Sequence, residues 1–182
     1  KKYGFMNIES NLRVRNYETN KKTEILVNNF NWKSNKWLSK LGIENHFEGL
    51  VKAVNYKANK TVKYKNEKTN SELHPVLGYF AKLGLSKNDI INKNVQTLTP
   101  RLLLRYAPGH MRAAESGRLS YNNLFSINKV NELDIVENGL SASIGFDYKK
   151  NQLDKDNNIN TDVMSFSLGQ VISGKENMDI PS

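Results

Sequence analysis

Apolar and polar residues alternate with period two along most of the chain. Met6, Ile8, Leu12 and Val14 share one side of an extended backbone, and Asn7, Glu9, Asn11, Arg13 and Arg15 share the other, because successive strand side chains point to opposite faces. The pattern returns at Leu77, Tyr79, Ala81, Leu83 and Leu85, and again at Leu98, Pro100, Leu102, Leu104 and Tyr106. Thr97, Thr99, Arg101 and Arg105 fall opposite this last run, and Leu103 is its one breach. It is cleanest at Leu140, Ala142, Ile144, Phe146 and Tyr148, and at Met164, Phe166, Leu168 and Ile172. The segments 25–32 and 47–56 carry apolar residues on both faces but read as strands from their Val, Phe, Tyr and Trp content.

Polar connections separate these runs. Residues 17–22 and 33–36 predict short turns, 59–71 a longer stretch in which Thr61–Tyr64 could add to a strand, and 86–94 a loop. Pro108-Gly109 and Ser116-Gly117 mark 107–120 as a loop, and 149–160 is almost wholly polar. His74-Pro75 is read as opening a strand, where Pro is tolerated, and 37–50 is ambiguous between helix and strand. The prediction is therefore all-β: an antiparallel up-and-down meander of about eight strands. Strands of ~9–11 residues with one apolar and one polar face suit the wall of a large transmembrane outer-membrane β-barrel. A soluble β-sandwich alternates too, but its strands average nearer ~5–6 residues.

Composition sharpens this picture. The chain has 182 residues, 27 Lys+Arg against 18 Asp+Glu, a net charge of +9 and no Cys. Disulfides and thiolate metal sites are excluded, and no apolar run reaches the ~18 residues of a membrane helix. The positive charge points to an anionic partner. The ends, Lys1-Lys2 and Ile180-Pro181-Ser182, predict a fragment, or a mature segment, of something longer; with the barrel pattern, residues 1–182 would be a partial barrel domain.

Catalytic chemistry finds little support. His46, His74 and His110 have no second His or carboxylate at metal-ligand spacing. Asp154–Asn158 begins like a calcium loop, but Ile159 stands where Gly is required and Ser165 where Glu is required. No nucleophile elbow or phosphate-binding glycine pattern occurs. Lys57, Lys60, Lys63, Lys65 and Lys68 interleave with Tyr56 and Tyr64, a pattern that could hold single-stranded nucleic acid. A solvated basic hairpin is the plainer reading in so Lys- and Asn-rich a chain. No catalytic residue, metal ligand or cofactor is expected.

An ordered series of strings fills the C-terminal half: Leu98-Thr99-Pro100-Arg101, Arg105-Tyr106-Ala107-Pro108, Asn123-Leu124-Phe125, Glu137-Asn138-Gly139, Gly145-Phe146-Asp147-Tyr148 and Gly169-Gln170. The series resembles the barrel domain of the LptD family, the lipopolysaccharide-assembly (organic solvent tolerance) proteins, well over 95–182 and more loosely before. Asn128-Lys129 departs from the family's more frequent Asn-Arg. The resemblance implies a non-enzymatic translocon in the Gram-negative cell outer membrane that passes lipopolysaccharide to the outer leaflet and holds an LptE-like lipoprotein plug. The chain would be a central slice of the wall, without the periplasmic domain and closing strands. Its partners would be lipopolysaccharide, that plug and outer-membrane lipid, with no nucleic acid. Alternatives are a segment of another outer-membrane barrel, porin or receptor, and a soluble basic β domain binding nucleic acid or polysaccharide. Alternation makes Arg13, Arg15, Arg101 and Arg105 the candidate lumen-facing cations. It places Leu77, Tyr79, Leu83, Leu102, Leu104, Ile144, Phe146, Phe166 and Leu168 on the lipid side.

Overall fold

The computed structural model describes residues 2–16, 21–61, 63–64, 69–89, 91–114, 119–130, 132–153 and 159–174. Its elements are β1 (Phe5–Asn16), β2 (Lys22–Lys33), β3 (Trp37–Leu38), β4 (Glu44–Asn59), β5 (Thr69–Lys82), β6 (Leu85–Asp89), β7 (Asn94–Ala107), α1 (Tyr121–Leu124), β8 (Gly139–Leu153) and β9 (Ile159–Ser173). All strand pairs are antiparallel and form one open sheet in the order β1-β2-β4-β5-β7-β8-β9, with β3 on β4 and β6 on β7. The all-β antiparallel meander is thus observed, with nine strands rather than about eight.

Several local expectations are corrected. Residues 37–50 hold no helix: β3 folds back on β4, with Trp37 opposite Asn45. His74-Pro75 lies inside β5, not at its start. Pairing of β5 with β7 begins only at Leu77, so Pro75 sits where that edge is unpaired, a position that tolerates its missing N–H. Thr61, Lys63 and Tyr64 are outside any strand. The predicted loop 86–94 contains most of β6, while Leu83 falls between β5 and β6. Both strands keep one register against β7, and the break faces Pro100, whose carbonyl accepts from the Leu83 N–H. Proline cannot donate to the ladder, so the break falls beside it. Strand β8 runs on through Leu153, whereas Asp154–Asn158 and Ser116-Gly117 lie outside the described residues.

The rungs sort side chains onto two faces. One, the bare face, collects Met6, Ile8, Leu12 and Val14 on β1, Leu26, Phe30 and Trp32 on β2, Leu73 and Leu77 on β5, and the even positions of β7, β8 and β9. These residues are largely exposed: Ile144 retains 50% and Leu168 56% of its accessible surface. Among the described residues no second sheet covers them, so the packing expected of a β-sandwich is not present.

The opposite face is covered. After Ala107 the chain leaves the sheet, and the described residues of 108–138 fold back over it before β8 begins. Val27, Ile25, Val54 and Tyr56 pack with Tyr64 and Leu133; Leu50, Val76 and Ala107 pack with Val136 and Ile127; Met111, Val130 and Ile135 form a third group. The core therefore lies between one sheet face and one inserted segment. This explains the apolar residues on both faces of 25–32 and 47–56, and the breach at Leu103, which is 0% exposed beneath the segment. Gly145 and Gly169 oppose each other across β8 and β9. A Cβ on Gly145 would collide with the Leu168 carbonyl and approach the Phe125 ring to 3.1 Å, and one on Gly169 would reach Leu124 at 2.8 Å. The glycine pair lets α1 and Phe125 lie flat on the sheet.

Candidate functional site

The covered face carries the charged chemistry. Odd positions of β7 point there, which places Arg101 and Arg105 on it, and the β1 register places Arg13 and Arg15 on it as well. Their surroundings differ. Arg15 is exposed and Arg13 half-buried. Arg101 is partly exposed, donates to Asp147 at 3.2 Å and lies 4.9 Å over the Phe125 ring. Asp147 also accepts from Tyr121 at 2.5 Å and Ser167 at 2.7 Å. Burial and this bond to a carboxylate raise the Tyr121 phenol above its ordinary value.

Arg105 is 1% exposed. Its Nε donates to the Ile127 carbonyl at 2.6 Å, its Nη2 to the Glu137 carbonyl, and its Nη1 lies 3.6 Å from the Glu137 carboxylate. Lys129 reaches the same carboxylate at 3.2 Å and the Ser141 hydroxyl at 3.0 Å. Burial pushes the Lys129 ammonium down, against the pull of Glu137 and with the neighbouring Arg105 charge. Arg105 is thus a clamp on the inserted segment, and no ligand can reach it.

A second clamp holds the other end. Arg112 donates to the Asp134 carbonyl at 2.7 Å and carboxylate at 3.0 Å, and its guanidinium sits 5.2 Å from the Tyr56 ring and 4.8 Å from that of Tyr64. Tyr64 donates to Asp134 at 2.6 Å, Lys63 to Glu132 at 2.6 Å and Lys52 to the Leu133 carbonyl at 2.5 Å. Of the basic stretch read as a possible nucleic-acid platform, Tyr56, Lys63 and Tyr64 are turned inward here, Lys57 and Lys60 are exposed, and Lys65 and Lys68 lie outside the described residues. Tyr56 is 3% exposed, so no base can stack on it.

Burial and the bond to Asp134 push the Tyr64 phenol well above its ordinary value. A raised folded pKa contributes stability below the unfolded value of ~10, lost as pH climbs through the folded value. Tyr64→Phe should therefore cost the segment about 1–2 kcal/mol. Hydrogen exchange over 132–137 should rise about tenfold at neutral pH, and raising the pH above 10 should reproduce the loss in the parent protein only.

Where the inserted segment ends, a cleft of about 260 Å³ opens beside Arg101, walled by Phe80 and Phe125 and rimmed by Lys33, Lys36 and Lys82. Its floor comes from three adjacent rungs: Glu44–Lys82–Arg101, His46–Phe80 and Lys33–Glu48. His46 stacks on Phe80 at 4.7 Å with planes 5° apart. The lysines of this cleft were not legible as site residues, since each looks like an ordinary surface cation in the sequence. Their signal was positional: Lys33 and Lys82 close β2 and β5, and Lys36 stands just before β3, all at one end of the sheet. Among the described residues no group of three or more His, Asp or Glu converges to hold a metal.

No protein-family model matches the chain, and no curated protein matches it.

Proposed function

We propose that this chain is a slice of an outer-membrane β-barrel wall belonging to a translocon of the LptD type, which delivers lipopolysaccharide to the outer leaflet. The observation that carries the membrane part of the reading is the path of the apolar run across the bare face. Its middle is Ser10 on β1, and the rung through Ser10 passes Asn28, Ala53 and Leu73. Continued to β7, that rung would fall three residues beyond Ala107. Yet the middle of the β7 run is Leu102 and that of β9 is Leu168, on the rung through Phe146 and Pro100. The run slides always toward the same end of the sheet, by about ten residues over six strand steps. With ~3.3 Å per residue and ~4.8 Å per strand, this is the slope of strands tilted by about 45–50° to a flat apolar layer. Tilted strands with an apolar band outside and charges inside are the build of a membrane barrel. A water-facing sheet has no reason to keep such a band.

The connections agree on orientation. At one end of the sheet the strands are joined, in sequence, by stretches of 5, 9 and 31 residues (β1 to β2, β4 to β5, β7 to β8), and at the other by 10, 4 and 5 (β2 to β4, β6 to β7, β8 to β9). Outer-membrane barrels put their longer loops outside, which sets the cleft beside Arg101 at the periplasmic end. The lipopolysaccharide part of the reading rests on the ordered strings of the C-terminal half and on a cationic interior suited to phosphorylated sugars. The barrel would be shared with outer-membrane lipid outside and an LptE-like plug inside.

The test is conditional depletion of the full-length protein, paired with photo-crosslinking from Thr99 on the covered face and Phe166 on the bare face. Depletion should strip newly made lipopolysaccharide from the cell surface. Crosslinks to lipopolysaccharide should arise from position 99, while position 166, at the inner-leaflet end, should capture phospholipid. Normal surface lipopolysaccharide with no crosslink from 99 would point instead to a porin or receptor.

A further inference from the structure

Two groups of cations on the covered side differ in their partners. Arg105, Arg112, Lys52, Lys63 and Lys129 are committed to carbonyls and carboxylates of the inserted segment. Lys33, Lys36, Lys82 and Arg101 instead meet at the cleft, with partners they share. Glu44 takes both Lys36 at 2.9 Å and Lys82 at 3.3 Å. Glu48 takes both Lys33 at 2.5 Å and His46 at 3.1 Å. Each carboxylate thus serves two donors, and one lysine charge at Glu44 stays uncompensated.

Such pairs are cheap to rearrange. The three lysine side chains are about half exposed, and exposed ion pairs are worth ~0–1 kcal/mol. A phosphate dianion would outcompete a shared carboxylate, because it offers two charges and several acceptor oxygens to ammonium and guanidinium groups together. The cleft walls supply the second half of a recognition site. Phe80, stacked on one side by His46, and Phe125, under the Arg101 guanidinium, give the cleft an apolar wall beside which a sugar can lie, and Arg101 stands at the wall shared with a neighbouring hollow that also includes Tyr121 and Asn122. The volume, just under the ~300 Å³ floor for drug-sized ligand pockets, suits a phosphate and one sugar ring.

We propose that this cleft binds a phosphomonoester carried on a sugar, with Arg101, Lys82 and Lys36 on the phosphate and Phe125 and Phe80 beside the ring. That the sugar belongs to lipopolysaccharide rests on the function proposed above; the phosphate site does not.

The experiment is calorimetric titration of the detergent-purified full-length protein with three probes: phosphorylated core oligosaccharide, the same oligosaccharide after phosphatase treatment, and glucose 6-phosphate. The parent protein should bind the phosphorylated oligosaccharide at least tenfold tighter than the treated one. Lys82→Gln should remove most of that ratio, and adding Arg101→Gln the rest. Glu44→Gln, which frees two lysines from a competing carboxylate, should tighten the phosphorylated ligand about three- to tenfold, a change of sign that a merely structural role for Glu44 would not produce. No phosphate preference in the parent protein, or weaker binding in Glu44→Gln, would overturn the site. Retained glucose 6-phosphate binding with surface lipopolysaccharide normal on depletion would keep the site and remove the translocon. Loss of surface lipopolysaccharide with no phosphate preference would do the reverse.

Discussion

Arg105→Ala is expected to release residues 120–138 from the sheet. The substitution empties a fully buried site, strips donors from the Ile127 and Glu137 carbonyls and leaves Glu137 with Lys129 alone. Breaking a buried pair by deleting one partner costs ~3–5 kcal/mol, or about two to four orders of magnitude in local opening. Hydrogen exchange of the full-length protein, read by mass spectrometry over 120–138, should approach unprotected rates while the β8–β9 hairpin stays protected. Arg105→Lys should fall between, since one ammonium keeps the charge but lacks the planar fork that spans two carbonyls. Glu137→Gln should be as severe as Arg105→Ala, because it leaves two buried cations side by side. Unchanged exchange in Arg105→Ala would sink the clamp.

Ile144→Arg and Leu140→Arg should part company. Both residues lie on the bare face of β8 and both are exposed. Ile144 is the middle of the apolar run and Leu140 its end. In a bilayer, arginine costs ~2–4 kcal/mol at the midplane and ~0–1 near the interface. On a wet surface both changes would stay within about ±0.5 kcal/mol. Denaturant unfolding of the full-length protein in lipid vesicles should therefore show a marked loss for Ile144→Arg and little for Leu140→Arg. Equal behaviour would remove lipid from this face.

Much of the sheet was legible because period two is a local property. Every long strand except the mixed pair shows it directly, and the rungs set the even positions of β7 opposite those of β8. What the period could not reveal was the second layer. The apolar faces of Ile25, Val27, Leu50 and Val54 were visible, but their partners Ile127, Leu133 and Val136 sit in a segment without regular structure, where no period announces burial. The same blindness hid the fate of Arg105. Its place on the polar face could be read, while its commitment to two carbonyls depends on residues 22 and 32 positions away. The arginine beside it, Arg101, meets Phe125 of the segment on one side and keeps the other open to a cleft. Strand β6 and the interior position of Pro75 were missed for a different reason: polar sequence pairs as readily as apolar sequence when a neighbour holds its register.

The inserted segment also has a bearing on how the sheet is put together. It joins β7 to β8, yet it bonds Lys52 of β4, Lys63 and Tyr64 across sequence separations of 69 to 81 residues, and Leu133 packs against the group that holds Ile25 and Val27 of β2. Its apolar side chains meet Val27 and Val54 only when those strands pair in their native rungs. A slip of one residue would turn either valine to the other face and leave the segment nothing to dock on. Docking therefore tests the alignment of the strands beneath it, and a mispaired sheet should betray itself by an undocked, protease-sensitive segment.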